Sequence, residues 1–348
     1  MSLQSEIAQC VSVKTVTIVT PTFEPHYVPN NALENWYREN FLSFLNTCGG
    51  FEVSLLLTDF ASSAPFKNFL REFAVSEGRR VRLIEGPEQL PSYDAVNKAF
   101  REASSELIVY AASDCRTRDD TWLSILASDF DNPSVMAVFP TVTYHGIGSS
   151  DQTQPSAFHR KSRVLSFPDY CNLITVALRR DHLAPFGYRL GDRFPDGGAE
   201  ETLLYQAAAV DCIIKVNFRC NIIHEQPSER YDRTLASHWS RHTLKKQGAE
   251  KRAVSRFLPV PSPRIGVALP WVAPLQQGWR TSGIHGFCRA FYVRLRQSIL
   301  FDLIFLLRSG RYLEHILRFR RANAQFQMFL ALPKDARISM VNALFFHD

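Results

Sequence analysis

No two cysteines in this 348-residue sequence are spaced Cys-x-x-Cys. The seven present (10, 48, 115, 171, 212, 220 and 288) are scattered and odd in number. That excludes a zinc-type spacing and a disulfide framework, and it predicts a reducing, cytoplasmic setting. No apolar run reaches the roughly 18 residues needed to cross a bilayer. The opening residues, MSLQSEIAQCVSVKTVTIV, lack a basic stretch followed by an apolar one and a small-residue cleavage site, so no signal peptide is expected. Internal repeats are absent. In the basic stretch after Ser228, aromatics are not interleaved as in a nucleic-acid-binding module, which argues against nucleic acid as a partner. What is abundant is apolar material: 45% of residues are hydrophobic and 26 are Phe, enough for two domains or one large domain with an appendage. The formal net charge of +6 suits polyanions, anionic membrane surfaces or phosphate-bearing small molecules equally.

The first half of the chain alternates strand-like and helix-like pieces. VKTVTIVT (13–20) is a β-branched run closed by Pro21, as in a buried strand entering a loop. Apolar residues at helical spacing follow over 31–45, a second strand over 51–57, and a helix over 64–75 with Pro65 in its first turn. A strand is expected at 81–84, a helix at 93–103 and a strand at 107–112. Such short alternating units predict an α/β fold, a mainly parallel sheet covered by helices on both faces. Ligands of such sheets bind beyond the carboxyl ends of the strands. Thr22, Phe23 and Glu24 follow the first strand there, Asp59 the second and Asp114 the fourth. Residues 141–168 read as a polar loop. Short strands are expected at 213–216 and at 220–223, the latter ending at His224.

The order of these motifs resembles family 2 glycosyltransferases, inverting enzymes of the GT-A fold that use nucleotide sugars. PTFEP resembles the family's first strand and its loop, and LLLTDFASS resembles the second strand, whose acid contacts the nucleoside. SYDAVNKAFREASSELIVYAASDC resembles the helix and strand that lead into the family's Asp-x-Asp metal motif. GGAEETLL resembles the segment that supplies the catalytic base. The resemblance covers roughly 13–226, and it places the domain at 1–228 with a basic, mostly helical region over 229–348.

What the resemblance implies is a site of the following kind. A carboxylate acts as general base toward the acceptor hydroxyl: Glu200, or Glu201 if the register slips by one. Pro21, Thr22, Glu24, Asp59, Asp94, Asn97 and Ser113 form the donor pocket, with Asp59 on the nucleoside. Asp114 and His224 hold a divalent cation, Mg²⁺ or Mn²⁺, that stabilises the departing diphosphate. The donor would be a UDP-sugar, and the acceptor a saccharide or lipid-linked hydroxyl in surface polysaccharide synthesis.

The sequence also departs from the family. Ala112 stands where the first acid of Asp-x-Asp is expected, Cys115 where a further Asp often follows, and Gln206 where Arg is usual. The thinned acid set keeps a non-catalytic sugar-nucleotide-binding or assembly subunit in view. A nucleotidyltransferase is a further alternative, against which PTFEP counts because it is no Gly-rich, basic loop. Asp114 has its own simpler reading, a strand-end cap. His145 and His159 read as solvated, and Cys115 as a small buried residue. SILFDLIFLL (298–307), flanked by arginines, could lie on a membrane surface or pack its apolar stripe onto the core.

Overall fold

The computed structural model describes residues 13–22, 30–59, 62–86, 92–146, 163–165, 174–191, 199–226, 284–285, 287–288, 291–292 and 324–346. In chain order the elements are β1 (Thr15–Pro21), α1 (Asn30–Leu45), β2 (Glu52–Asp59), α2 (Ala64–Glu77), β3 (Val81–Glu85), α3 (Ser92–Glu102), β4 (Leu107–Ala111), β5 (Cys115–Thr117) and α4 (Trp122–Ala127). There follow β6 (Val135–Gly146), β7 (Arg163–Leu165), β8 (Thr175–Arg179), α5 (Ala199–Ala209), β9 (Ile213–Gln226) and a C-terminal helix α6 (Lys334–Phe345). Chain contacts divide the protein into two compact units. One is Met1–Glu250 with Leu332–Asp348, and the other is Lys251–Ala331. The helix α6 therefore belongs to the first unit.

All nine strands join one sheet in the order β3-β2-β1-β4-β8-β6-β9-β5, with β7 also on β9. The fold class is the expected α/β one, a single mixed sheet with helices packed on it. Its first part, β3-β2-β1-β4, is wholly parallel. Beyond β4 the pairing turns antiparallel, except for β6 with β9. Every residue of β1 from Val16 to Thr20 is buried, because helices cover both faces. Val16 and Ile18 share a core with Leu55, Leu57, Val109 and the aromatic row of α1 and α2 (Tyr37, Phe41, Phe44, Phe66, Phe69, Phe73). The intervening residues face the other way, and α3 packs against β1 and β2. Tyr37 meets Phe66 at 5.0 Å and Phe41 meets Phe73 at 5.5 Å, both tilted, while Phe69 and Phe73 stack at 6.4 Å.

Two expectations are corrected. Residues 141–146 are not loop but the end of β6, and Arg163–Leu165 is a strand. The pieces at 213–216 and 220–223 are one strand, β9, interrupted by a bulge where its register against β6 jumps from Pro140↔Asn217 to Thr141↔Asn221. The Asn217 side chain holds the bulge. Its Oδ1 accepts from the backbone N–H of Arg219 (2.9 Å) and Cys220 (3.3 Å), and its Nδ2 donates to Asp129 at 2.7 Å. Periodicity stops at such a point because a side chain replaces the ladder partner.

The start of β1 is held by one carboxylate. Glu106 accepts from the backbone N–H of Lys14 (2.6 Å) and Thr15 (3.1 Å), while its own N–H donates to Thr15 Oγ1 at 3.0 Å. The Lys14 bond foremost, then that of Thr15, lowers the Glu106 pKa from its ordinary 4.5. A depressed folded-state value means stabilisation that is present above the unfolded pKa and lost as pH falls through the folded one. Glu106→Gln is therefore expected to lower the urea midpoint at pH 7. The difference from wild type should shrink as pH falls below about 4.5, and urea titrations across that range check it.

Candidate functional site

The carboxyl ends of β1, β2 and β4 lie at the same edge of the sheet because the three strands are parallel neighbours. At the end of β2 the Asp59 carboxylate is fully buried. Thr22 Oγ1 donates to Asp59 Oδ1 at 3.1 Å or to the Thr58 carbonyl at 3.0 Å, and Ser62 Oγ donates to the same Oδ1 at 2.5 Å. Lys67 Nζ stands 3.9 Å from Asp59 Oδ2. Thr22 and Asp59, two of the expected pocket residues, are thus in direct contact across the β1–β2 seam.

Some polar capacity at this edge goes unused. Asp59 Oδ2 and the buried hydroxyls of Thr20, Thr58 and Ser113 find no hydrogen-bond partner among the described residues. Buried polar atoms in folded proteins are ordinarily paired, and a cluster of unpaired ones beside a loop-rich edge is where a polar ligand would satisfy them. The Ser113 carbonyl is not part of that reserve, since Asn40 Nδ2 donates to it at 3.2 Å.

After β4 the chain turns tightly, the Cys115 N–H donating to the Ala112 carbonyl at 3.0 Å, and enters β5. Antiparallel pairing sets Cys115 opposite His224 of β9, and Glu225 N–H donates to the Asp114 carbonyl at 2.9 Å. His224 Nε2 and Asp114 Oδ2 come to 3.0 Å. The expected pair therefore meets, although 110 positions separate the two residues. Behind it, Glu225 receives a hydrogen bond from Trp36 Nε1 of α1 and an ion pair from Arg116 Nε of β5 at 2.9 Å. Trp36, Arg116 and Glu225 had no sequence signal. A bond across 189 positions leaves no trace in local pattern.

Asp114, Cys115 and His224 offer three donor atoms within 4.8 Å of one another. Burial, then the adjacent Asp114 charge, pushes the Cys115 thiol well above its ordinary value. A thiol held protonated is a poor ligand. Asp114 and His224 remain as the two side chains that could hold a divalent cation. Ala112 has no ligand atom to add and packs against the core.

The segment leading toward α5 is clamped from two sides. Asn97 of α3 donates to the Leu190 carbonyl at 2.9 Å and accepts from the Leu190 N–H at 2.8 Å, so both ends of its amide are committed to the backbone. Gln206 Nε2 of α5 donates to the Arg189 carbonyl at 2.8 Å. Gly191 lies against Thr202: a Cβ there would sit 2.5 Å from Oγ1 and 2.8 Å from the threonine Cβ. Glu200 and Glu201 occupy the first turn of α5 and Asp94 the first turn of α3. The side chains of Glu200 and Glu201 lie outside the described residues, as do Glu24 and His159.

Residues 18–188 match the family model described as Glycosyl transferase family 2. The matched stretch is just under half of the chain. The match ends before α5 and β9, so Glu200, Glu201 and His224 lie beyond it. Two solved structures are similar at low identity. One is GalNAc-T7 with UDP, GalNAc and Mn²⁺, at 12% identity and a TM-score of 0.49 over 63% of this chain and 45% of that one. The other is residues 1–349 of S. aureus TarS with UDP-GlcNAc, at 12% identity and a TM-score of 0.47 over 61% of this chain and 58% of that one. The chain thus spans about half the length of these two chains. A search of curated proteins finds no match.

The clamp gives a direct test. Gly191→Ala must push the added methyl into a β-branched neighbour, with an expected loss of about 1–3 kcal/mol, measured by urea unfolding. An unchanged midpoint would mean that the α5 entry yields without cost.

Proposed function

We propose that the protein transfers a sugar, with inversion, from a nucleoside-diphosphate donor, a UDP-sugar, to the hydroxyl of a saccharide or lipid-linked acceptor in surface polysaccharide synthesis. The observation that carries this reading is the unused polar set at the carboxyl edge (Asp59 Oδ2 and the Thr20, Thr58 and Ser113 hydroxyls) within the family 2 segment and beside the Asp114–His224 pair. In this reading Asp59, aligned by Thr22 and Ser62, contacts the nucleoside, and Pro21, Glu24, Asp94 and Ser113 border the donor. Asn97 acts through Leu190, fixing the path of the chain toward α5.

The acceptor oxygen attacks the anomeric carbon as the bond to the diphosphate breaks, and its proton passes to a carboxylate. Glu200 takes that role, with Glu201 as the alternative one residue on. Asp114 and His224 would hold a divalent cation. One oxygen and one imidazole donor suit Mn²⁺ better than the oxygen-seeking Mg²⁺. When bound, that ion would offset the negative charge gathering on the leaving diphosphate. A second reading rests on Ala112: with the first acid missing, the chain could bind the donor and serve as a non-catalytic assembly subunit.

Thermal-shift titration with a panel of nucleotide sugars, with and without Mn²⁺, checks donor binding. The true donor at 100-fold over its Kd should add about 2.7 kcal/mol of stability. Turnover assays then compare wild type with Glu200→Gln and Glu201→Gln. The base should lose roughly 10²–10⁴-fold in rate, the other glutamate far less. Donor binding with no turnover in wild type would favour the assembly reading, and stabilisation by no nucleotide sugar would end both.

A further inference from the structure

Helix α1 carries two stripes. One is the aromatic row of the core, Tyr37, Phe41 and Phe44. Beside it runs a polar one. Trp36, Asn40, Ser43 and Thr47 recur at i, i+4, i+7 and i+11, the spacing of one helical face, with Thr47 two residues past the end of the helix.

The stripe follows the chain that carries Asp114. Thr47 Oγ1 donates to the Asp120 carbonyl at 3.1 Å, and the neighbouring Cys48 N–H donates to the same oxygen at 2.7 Å. Ser43 Oγ accepts from the Thr117 N–H at 3.0 Å and donates to the Asn40 carbonyl at 2.7 Å, while the Ser43 carbonyl accepts from Thr117 Oγ1 at 2.8 Å. Asn40, itself buried, donates through Nδ2 to the Ser113 carbonyl at 3.2 Å. Trp36 Nε1 donates to the carboxylate of Glu225, whose N–H is on the Asp114 carbonyl and whose other oxygen pairs with Arg116. Residues 113, 114, 116, 117 and 120 are thus tied, directly or through Glu225, to one face of one helix. A helix that only covers a sheet needs its apolar stripe alone. Polar groups buried beside that stripe cost desolvation unless they are bonded, and these are bonded to successive points of a single stretch.

We infer that Trp36, Asn40 and Ser43 are positioning residues for the cation that Asp114 and His224 would hold. They act through the backbone of residues 113–117 and through Glu225, which fix where the Asp114 carboxylate stands against the His224 ring. The need is physical. Ala112 has no ligand atom and the Cys115 thiol is a poor one, so among the described residues two side chains supply the hold on the ion. With so few bonds, affinity depends on having the ligands ordered before the ion arrives. Outer partners that orient a metal ligand are worth roughly 10–100-fold in affinity. The role rests on the proposed cation pair, and it stands apart from the transfer of sugar.

The test is titration of the full-length protein with Mn²⁺ alone, followed by the electron paramagnetic resonance signal of the free ion, well below every variant's thermal midpoint. Wild type should bind the ion and Asp114→Asn should lose it. Trp36→Phe keeps an aromatic ring against Tyr37 and removes the donated N–H, and Ser43→Ala removes the acceptor of Thr117. Each should raise the Mn²⁺ Kd roughly tenfold or more, and Ser43→Thr, which restores the hydroxyl, should bring it back to within about threefold of wild type. If the stripe merely anchors α1, thermal midpoints fall while Kd stays at the wild-type value, and that result overturns the proposal. So does an absence of Mn²⁺ binding by wild type, or binding that Asp114→Asn leaves unchanged. Turnover of nucleotide sugars is followed on the same samples. A wild type without turnover whose Mn²⁺ affinity still follows this pattern counts against the sugar-transfer reading and upholds the positioning role.

Discussion

The site depends on one short pairing. β5 is only three residues long, Cys115–Thr117, and it pairs antiparallel with the far end of the 14-residue β9. That pairing brings His224 to Asp114 across 110 positions of sequence. Its few ladder bonds are supplemented by the Glu225 N–H on the Asp114 carbonyl and by the Glu225 carboxylate, which gathers Trp36 and Arg116. Half-buried carboxylates with two cationic or N–H partners hold their geometry more firmly than exposed pairs, which contribute little. The side chains nearest the proposed diphosphate are thus set by α1, β5 and β9 together, not by the loop on which Asp114 sits.

A second constraint acts on the other side of the edge. Asn97, Gln206 and the absent side chain of Gly191 fix residues 189–191 between α3 and α5. The start of α5, where Glu200 and Glu201 lie, inherits its placement from this clamp. Gln206 donates to the Arg189 carbonyl and brings no charge, so its part here is one of position. The C-terminal helix adds to the same region: Arg337 donates to the Ala208 carbonyl at 2.7 Å and pairs with Asp211 at 2.6 Å, and Phe345 lies against Tyr205 at 5.4 Å.

The parallel half of the fold was legible because buried parallel strands are continuous β-branched runs and the covering helices have clear apolar stripes. β1 to β4 and α1 to α3 fall within two residues of their expected bounds. Asp59, Asp114 and Thr22 were legible for a topological reason, since residues after parallel strands share an edge. The second half was harder to read. Antiparallel strands β6 and β9 are long, bulged and partly polar, so Thr141 to Gly146 read as loop and β9 as two pieces. The return of α6 to the first unit rests on Arg337 and Phe345, whose partners lie more than 120 positions away and leave no periodic signal.

The bulge in β9 sets more than a bend. One step along β6, from Pro140 to Thr141, corresponds to four along β9, from Asn217 to Asn221, so three residues are spare. Strand side chains alternate faces with a period of two, and an odd surplus reverses which face each later residue presents. His224 meets Asp114 only because that parity change lies upstream of it. The strand in effect carries a frameshift, and Asn217 is the residue that keeps the frame. Evolution can therefore alter the identity of Phe218, Arg219 or Cys220 more freely than their number. The loss of one would turn the histidine to the opposite side of the sheet.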